Sequence, residues 1–264
     1  MKHTIVQIYE IQTPEEAESM VESGVDHIGG VLTSESDRQD LQIQKSVEFV
    51  RRTPAKSSLI PLFSTPESVF QVIDDYRPDM IHFCEALADS NGIFDICKEL
   101  IRLQEGVRRR FPEVRIIRSI PICRPGLGDR VDSLGLARMF EGVSDYFLTD
   151  TLILSGDEPV REQQPVTGFV GITGRICDWN LAAELVRVSP IPVILAGGIS
   201  PENVAEGVLK IQPFGVDSCT ATNQVDAAGR PIRFCKDVEK VRRFVSETRR
   251  ADRILAERSS PSLN

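Results

Sequence analysis

The stretch PVILAGGISPENVAEGVL (residues 192–209) passes from an apolar, β-branched run into a helical pattern through two adjacent glycines, Gly197 and Gly198. One reason for a pair without Cβ atoms at a strand end is that another backbone or a ligand must approach closely there. Which of the two applies depends on the fold around it.

Working outward, the same unit recurs along the chain. Short apolar runs read as strands: TIVQIY (4–9), VDHIGGVL (25–32), SSLIPLF (57–63), DMIHFC (79–84), EVRIIRSI (113–120), DYFLTD (145–150), IPVILAG (191–197) and FGVDSCT (214–220). Each is followed by an amphipathic stretch with helix signals. TPEEAESMVESG carries Thr13 as N-cap, Pro14 in the first turn, Glu16 at the capping-box spacing and Gly24 as terminator. Thr-Pro-Glu at 65–67 and Ser-Pro-Glu at 200–202 repeat that opening. The last helix is expected from about Lys236 to Glu257, ahead of a polar tail at 259–264.

Alternation of this kind implies a parallel sheet. Eight units without a linker in 264 residues point to a single (β/α)8 barrel over residues 1–258, an α/β fold. The rival is an open doubly wound sheet, which would usually open on G-x-G-x-x-G; IYEIQT after the first strand is not such a turn.

Bulk properties exclude several classes. Net charge is −8, which argues against a general nucleic-acid binder. The local run VRRRFPEVRIIR (107–118) reads as a solvated face, with an anion-binding patch as the alternative. No run approaches the roughly 18 apolar residues of a membrane span. The N-terminal MKHTIVQIYE does not read as a signal peptide. Cys84, Cys97, Cys123, Cys177, Cys219 and Cys235 form no C-x-x-C pair and are expected as reduced thiols in a cytoplasmic protein. The sequence leaves the oligomeric state open.

In a barrel, chemistry gathers at the C-terminal ends of the strands. The loop containing Gly171, Thr173 and Gly174, the pair Gly197 and Gly198, and the end of the eighth strand at Ser218 and Cys219 all fall there. Glycine lets amide N–H groups approach a phosphate, and late loops of this fold often bind one. A small phosphorylated ligand is the expected partner. His82 and Cys84, with Cys123 after the next strand, invite a metal reading, but core packing is the reading preferred for them and no metal is expected.

These pieces together resemble the phosphoribosylanthranilate isomerase family of tryptophan biosynthesis. ILAGGISPENV resembles its seventh strand and phosphate loop, and GVDSCTATN with GRPIRFCKDVEKVRRFV its final strand and helix. GITGRICDWNLAAELV is similar to the Gly-Gly-Thr-Gly loop, FLTDT to the segment bearing the catalytic aspartate, and GVDHIGGVLTSESDR to the second strand with its substrate-binding arginine. The resemblance implies an Amadori rearrangement of N-(5-phosphoribosyl)anthranilate without metal or organic cofactor. It implies Asp150 as general acid, Arg38 as partner of the anthranilate carboxylate, and Asp217 as a substrate-binding group.

The chain departs from the family pattern where the base should be. Lys-Ile-Cys-Gly-Ile is replaced by QIYEI, so Tyr9 stands for the basic cysteine and Glu10 for a glycine. A phenol titrates near about 10 and a thiol near about 8.5, so Tyr9 needs a large downward shift to act as base. Tyr9 is also bulkier and is expected to fill the mouth. Cys84 stands where the family has histidine, and Ile172 replaces the second glycine of the phosphate loop. Cys84, pointing inward by strand alternation, and Glu10 are the candidates for a relocated base. Two alternatives to the isomerase stay open: a related barrel acting on another phosphosugar, and a phosphate-ligand binder without catalysis.

Overall fold

The computed structural model describes residues 3–154 and 166–259. Eight strands are β1 (Ile5–Ile8), β2 (His27–Leu32), β3 (Lys56–Pro61), β4 (Met80–Phe83), β7 (Arg115–Cys123), β8 (Tyr146–Leu152), β9 (Val193–Leu195) and β10 (Gly215–Ser218). They pair in parallel and close in the order β1-β10-β9-β8-β7-β4-β3-β2, with β1 also bonded to β2. Closure excludes the open sheet and leaves no barrel edge unpaired.

The helices are α1 (Pro14–Glu22), α2 (Leu41–Val50), α3 (Pro66–Tyr76), α4 (Cys97–Arg110), α5 (Ser133–Phe140), α6 (Trp179–Val188), α7 (Val204–Ile211) and α8 (Val238–Ser259). α1 has the expected reciprocal cap between Thr13 and Glu16. α7 starts three residues later than Ser-Pro-Glu suggests. Asn203 ties residues 200–203 into a turn: its Oδ1 accepts from Ser200 N–H at 2.8 Å and its Nδ2 donates to the Gly198 carbonyl at 3.0 Å. α8 also starts later, at Val238, because residues 223–236 form a hairpin absent from the sequence reading. Its strands are β11 (Asn223–Val225) and β12 (Pro231–Lys236). A shorter hairpin, β5 (Ala88–Asp89) with β6 (Gly92–Ile93), follows β4. Residues 260–264 of the expected tail lie outside the described residues. None of the described helices is long and apolar enough to cross a membrane.

Alternate strand residues face the barrel axis. Met80, Ile117, Leu148, Ile194 and Ala196 form an apolar plug there. One step nearer the C-terminal mouth the filling is polar. Tyr9 Oη contacts Ser58 Oγ at 2.7 Å and His82 Nδ1 at 2.9 Å, while His82 Nε2 contacts Ser119 Oγ at 2.9 Å. The larger apolar clusters lie between barrel and helices. α8 is tied to the residues that precede β1 and β2: Asp252 accepts from Thr4 N–H and Oγ1, and Arg249 pairs with Asp26 at 2.7 Å. That places the charged helix against β1.

The arginine run divides in two. Arg108, Arg109, Arg110 and Arg115 pair with acids at the surface, as a solvated face would. Arg118 is the exception, fully buried outside the barrel wall. Its Nη1 meets Glu85 at 2.7 Å, its Nε donates to Gln104 at 2.7 Å, and its guanidinium lies over Phe83 and Phe140.

The opening question about Gly197 and Gly198 has a structural answer. Both have left-handed φ, +82° and +69°. A Cβ on Gly198 would stand 2.5 Å from the backbone of Arg175 and Ile176; one on Gly197 would stand 2.5 Å from Thr151 Oγ1. The close neighbour is therefore another stretch of chain.

Two predictions follow from these contacts. Gly198→Ala lowers unfolding free energy by about 2–4 kcal/mol in urea titration, combining left-handed strain with overpacking. Gly142→Ala, where a Cβ meets nothing within 4 Å, serves as the neutral control. Glu85→Ala strands a buried guanidinium and costs about 3–5 kcal/mol by the same measurement.

Candidate functional site

Two hollows open side by side at the mouth. One is apolar, lined by Val31, Ile60, Leu62, Leu148, Phe169, Val170 and Gly171 above the Tyr9–His82 layer. The other is lined by Thr173, Gly174, Gly197, Gly198, Ser218, Cys219 and Thr220. Asp150, Ile172, Asp217 and Cys219 line both and form the boundary.

The second hollow is made by three loops held together from below. Thr151 Oγ1 donates to the Arg175 carbonyl at 2.6 Å, and Ser218 Oγ donates to the Ile199 carbonyl at 2.9 Å. Among the described residues no lysine or arginine lines it, so an anion there would meet amide N–H groups and hydroxyls. Of the residues expected at a phosphate, Thr173, Gly174, Gly197, Gly198, Ser218 and Cys219 lie together here. Gly171 does not: it stands on the apolar side, at φ +108°, where a Cβ would come within 2.2 Å of Asp150 Oδ2. Its role is to admit the carboxyl. Ile172 sits at φ +62° and Glu10 at +65°. Both therefore adopt the left-handed conformation at places where the family pattern has glycine, at a cost of about 1–2 kcal/mol each.

Asp150 and Asp217 have similar environments. Burial raises the Asp150 carboxyl to about 7, opposed by a hydrogen bond from Thr151 N–H at 2.8 Å. Burial raises Asp217 to about 7 as well, with the charge of Asp150 adding to the shift; Gln7 and Lys236 work against it. Gln7 Nε2 donates to Asp217 Oδ1 at 3.2 Å, and Gln7 Oε1 is 3.1 Å from His27 Nδ1. An amide oxygen only accepts, so His27 Nδ1 carries the hydrogen. Burial pushes the His27 pKa down to about 4, which keeps the ring neutral. Gln7 and His27 went unread in the sequence. Their signal is spacing, since Gln7 precedes Tyr9 by two residues and so shares its face.

The candidates for the base fare differently. Tyr9 is buried, and burial drives its phenol well above 10, the opposite of the shift a base requires. It does not fill the mouth as expected. Its ring packs over Gly29 on β2, where a Cβ would stand 2.0 Å away, so the bulk is absorbed within the barrel and Tyr9 becomes the chamber floor. Burial also raises the Cys84 thiol, helped by the charges of Glu85 and Asp150, so it stays a thiol at neutral pH. Glu10 turns away to the β11–β12 hairpin. Arg233 Nε donates to its Oε1 at 2.8 Å, and Asn223 Nδ2 and Phe234 N–H donate to Oε2 at 2.9 and 3.1 Å. Burial favours protonation of Glu10, but Lys236, Asn223 and Arg233 outweigh it and hold the carboxyl below the usual range.

Arg38 falls in a 3-10 turn after β2, Glu35–Gln39; its side chain lies outside the described residues. His82 has both ring nitrogens engaged, with Tyr9 and Ser119. Among the described residues no group of three or more His, Cys, Asp or Glu is arranged to hold a metal ion.

Comparison with known proteins agrees with this architecture. The family model for N-(5'phosphoribosyl)anthranilate (PRA) isomerase matches residues 113–247, just over half of the chain. The chain is 31% identical over 255 residues to the N-(5'-phosphoribosyl)anthranilate isomerase of Methanocella arvoryzae, covering 93% of this chain and 98% of that one. It is 28% identical over 248 residues to the enzyme of that name from Methanothrix thermoacetophila, again covering 93% and 98%. A crystal structure of phosphoribosyl anthranilate isomerase in complex with reduced 1-(o-carboxyphenylamino)-1-deoxyribulose 5-phosphate superposes with a TM-score of 0.62 at 18% identity. It covers 94% of this chain and 99% of that one. The Thermus thermophilus enzyme gives the same values. At such identities the structures establish the shared barrel alone, and the sequence relatives and the family model establish the kinship. This chain belongs to the N-(5'-phosphoribosyl)anthranilate isomerase family.

Proposed function

We propose that this chain isomerises N-(5-phosphoribosyl)anthranilate by an Amadori rearrangement. The observation that carries the reading is the meeting of two unlike hollows at a pair of carboxyls, Asp150 and Asp217. The substrate has a matching order of parts: phosphate, pentose, aromatic ring. The phosphate would lie against Thr173, Gly174, Gly197, Gly198, Ser218 and Cys219, and the ring in the chamber of Val31, Ile60, Leu148 and Val170. The sugar carbons then fall between the carboxyls. Arg38 is assigned to the anthranilate carboxylate on the family likeness alone.

Asp150 is the acid in this reading. Burial keeps its proton in place near neutrality. It protonates the ribose ring oxygen, the C1–O bond opens, and an iminium forms. Loss of the C2 proton gives the enolamine, which tautomerises to the ketose. A second reading, phosphate-ligand binding without turnover, is favoured by Tyr9 at the place of the family base. It predicts that phosphoribosylanthranilate raises the melting temperature but is not consumed.

Fluorescence assay of phosphoribosylanthranilate decides between them. The isomerase reading expects consumption by the wild type and a fall of about 10²–10⁴ in kcat for Asp150→Asn. It also expects kcat/KM to fall as pH rises through about 7, where Asp150 loses its proton.

The raised pKa has a stability consequence as well. The unfolded carboxyl titrates near about 4, so between there and about 7 the folded state binds more protons. Stability therefore declines as pH rises through that window. Asp150→Asn removes this cost, and is expected to be more stable than wild type at pH 8 by on the order of 2 kcal/mol. The gain should shrink towards pH 4, as read by melting temperature across the range.

A further inference from the structure

Proton removal from C2 needs a base, and none of Tyr9, Cys84 and Glu10 is suited to it. We propose that Asp217 is the general base of this chain, working opposite Asp150 as the acid. The inference rests on the isomerase reading and adds a residue and a role to it.

The geometry comes from the barrel order. β10 is the strand bonded to β1, with Asp217 paired to Gln7. Asp217 thus stands one strand over from position 9, where the family pattern keeps its base, and two residues deeper in the barrel. Asp150 is on β8, and β9 lies between them. The two carboxyls therefore flank the end of β9, and both line both hollows. Gln7, braced by His27, holds Asp217 Oδ1 from beneath without bringing a charge to it. The Tyr9 hydroxyl, by contrast, is tied to Ser58 and His82, and the Glu10 carboxylate to the hairpin.

The proton inventory also closes. The reaction starts with Asp150 protonated and Asp217 ionised. Asp150 gives its proton to the ring oxygen as the C1–O bond breaks, and the nitrogen lone pair forms C1=N. The C2–H pair then forms C1=C2, the C=N pair returns to nitrogen, and the proton goes to Asp217. The pair ends with the same single proton on the other carboxyl, and exchange with water resets it. A half-buried and a buried carboxyl that line the same hollows do not readily both ionise, so one shared proton near neutrality is the form their surroundings favour.

The test uses wild type, Asp217→Asn and Asp217→Ala, assayed with phosphoribosylanthranilate. Binding of reduced 1-(o-carboxyphenylamino)-1-deoxyribulose 5-phosphate is measured by calorimetry alongside. Asp217→Asn should lose kcat by about 100-fold or more, with the affinity for the reduced analogue largely kept and no fall in melting temperature. Formate should restore part of the turnover of Asp217→Ala, because a small carboxylate can occupy the vacated space. A group that only binds or positions substrate would not give that rescue. Near wild-type kcat in Asp217→Asn overturns the proposal, as does a loss confined to KM and analogue affinity. A wild type that does not turn over phosphoribosylanthranilate overturns the isomerase reading and this role with it. An active wild type with an active Asp217→Asn removes the base assignment alone.

Discussion

The mouth of this barrel depends on how closely two stretches of backbone come together. Residues 196–199 lie against Arg175 and Ile176 at a distance that only glycine at position 198 permits. Thr151, at the end of β8, holds the Arg175 carbonyl at 2.6 Å, and Ser218, at the end of β10, holds that of Ile199 at 2.9 Å. Three loops from three strands thus form one wall. The hollow between them is lined by residues of all three loops. The glycines serve packing first, and the hollow follows from the packing.

A second set of compensations surrounds Tyr9. Its ring occupies space that would belong to a side chain at position 29, which is glycine. Its hydroxyl is met by Ser58 and His82. The next residue, Glu10, takes a left-handed conformation that L residues avoid. Its carboxylate receives donors from Arg233, Asn223 and Phe234, which offset the strain and fix the β11–β12 hairpin to the end of β1. Positions 9 and 10 are therefore held by contacts that reach the hairpin more than 200 residues away in sequence.

The barrel was legible because hydrophobic period and helix caps are local, and the repeated strand–helix rhythm has few closed solutions. The Thr13–Glu16 box is a case of two residues determining an outcome. The later starts of α7 and α8 were not legible. Ser-Pro-Glu reads as a helix opening, and only the Asn203 bonds to Ser200 and Gly198 convert it to a turn. Arg118 misled for the same reason: within its run it looks like four exposed arginines, and only Glu85, Gln104 and two phenylalanines from other elements make it a core residue. In the candidate site, the positions at strand ends were readable, since the fold fixes where they lie. Their protonation was not, because it depends on burial and on neighbours distant in sequence. Tyr9 and Asp217 show the contrast: the sequence suggested a base and a binding group, while their surroundings hold the proton on the phenol and bring the carboxyl near neutrality.

A barrel allows such redistribution because its strand ends converge on one opening. Assigning the base to Asp217 on β10 rather than to position 9 on β1 shifts it by one strand and two residues along the strand, about 8 Å, because Asp217 is in register with Gln7. The supporting groups stay in place, since Gln7 on β1 still reaches the new position through its hydrogen bond to Asp217. An open sheet would separate its two outermost strands and leave no such neighbour. Here β1 and β10 are the first and last barrel strands, joined by closure at Ile5–Gly215 through Ile8–Ser218. The closing seam that completes the fold is thus also the seam across which the chemistry is proposed to have moved.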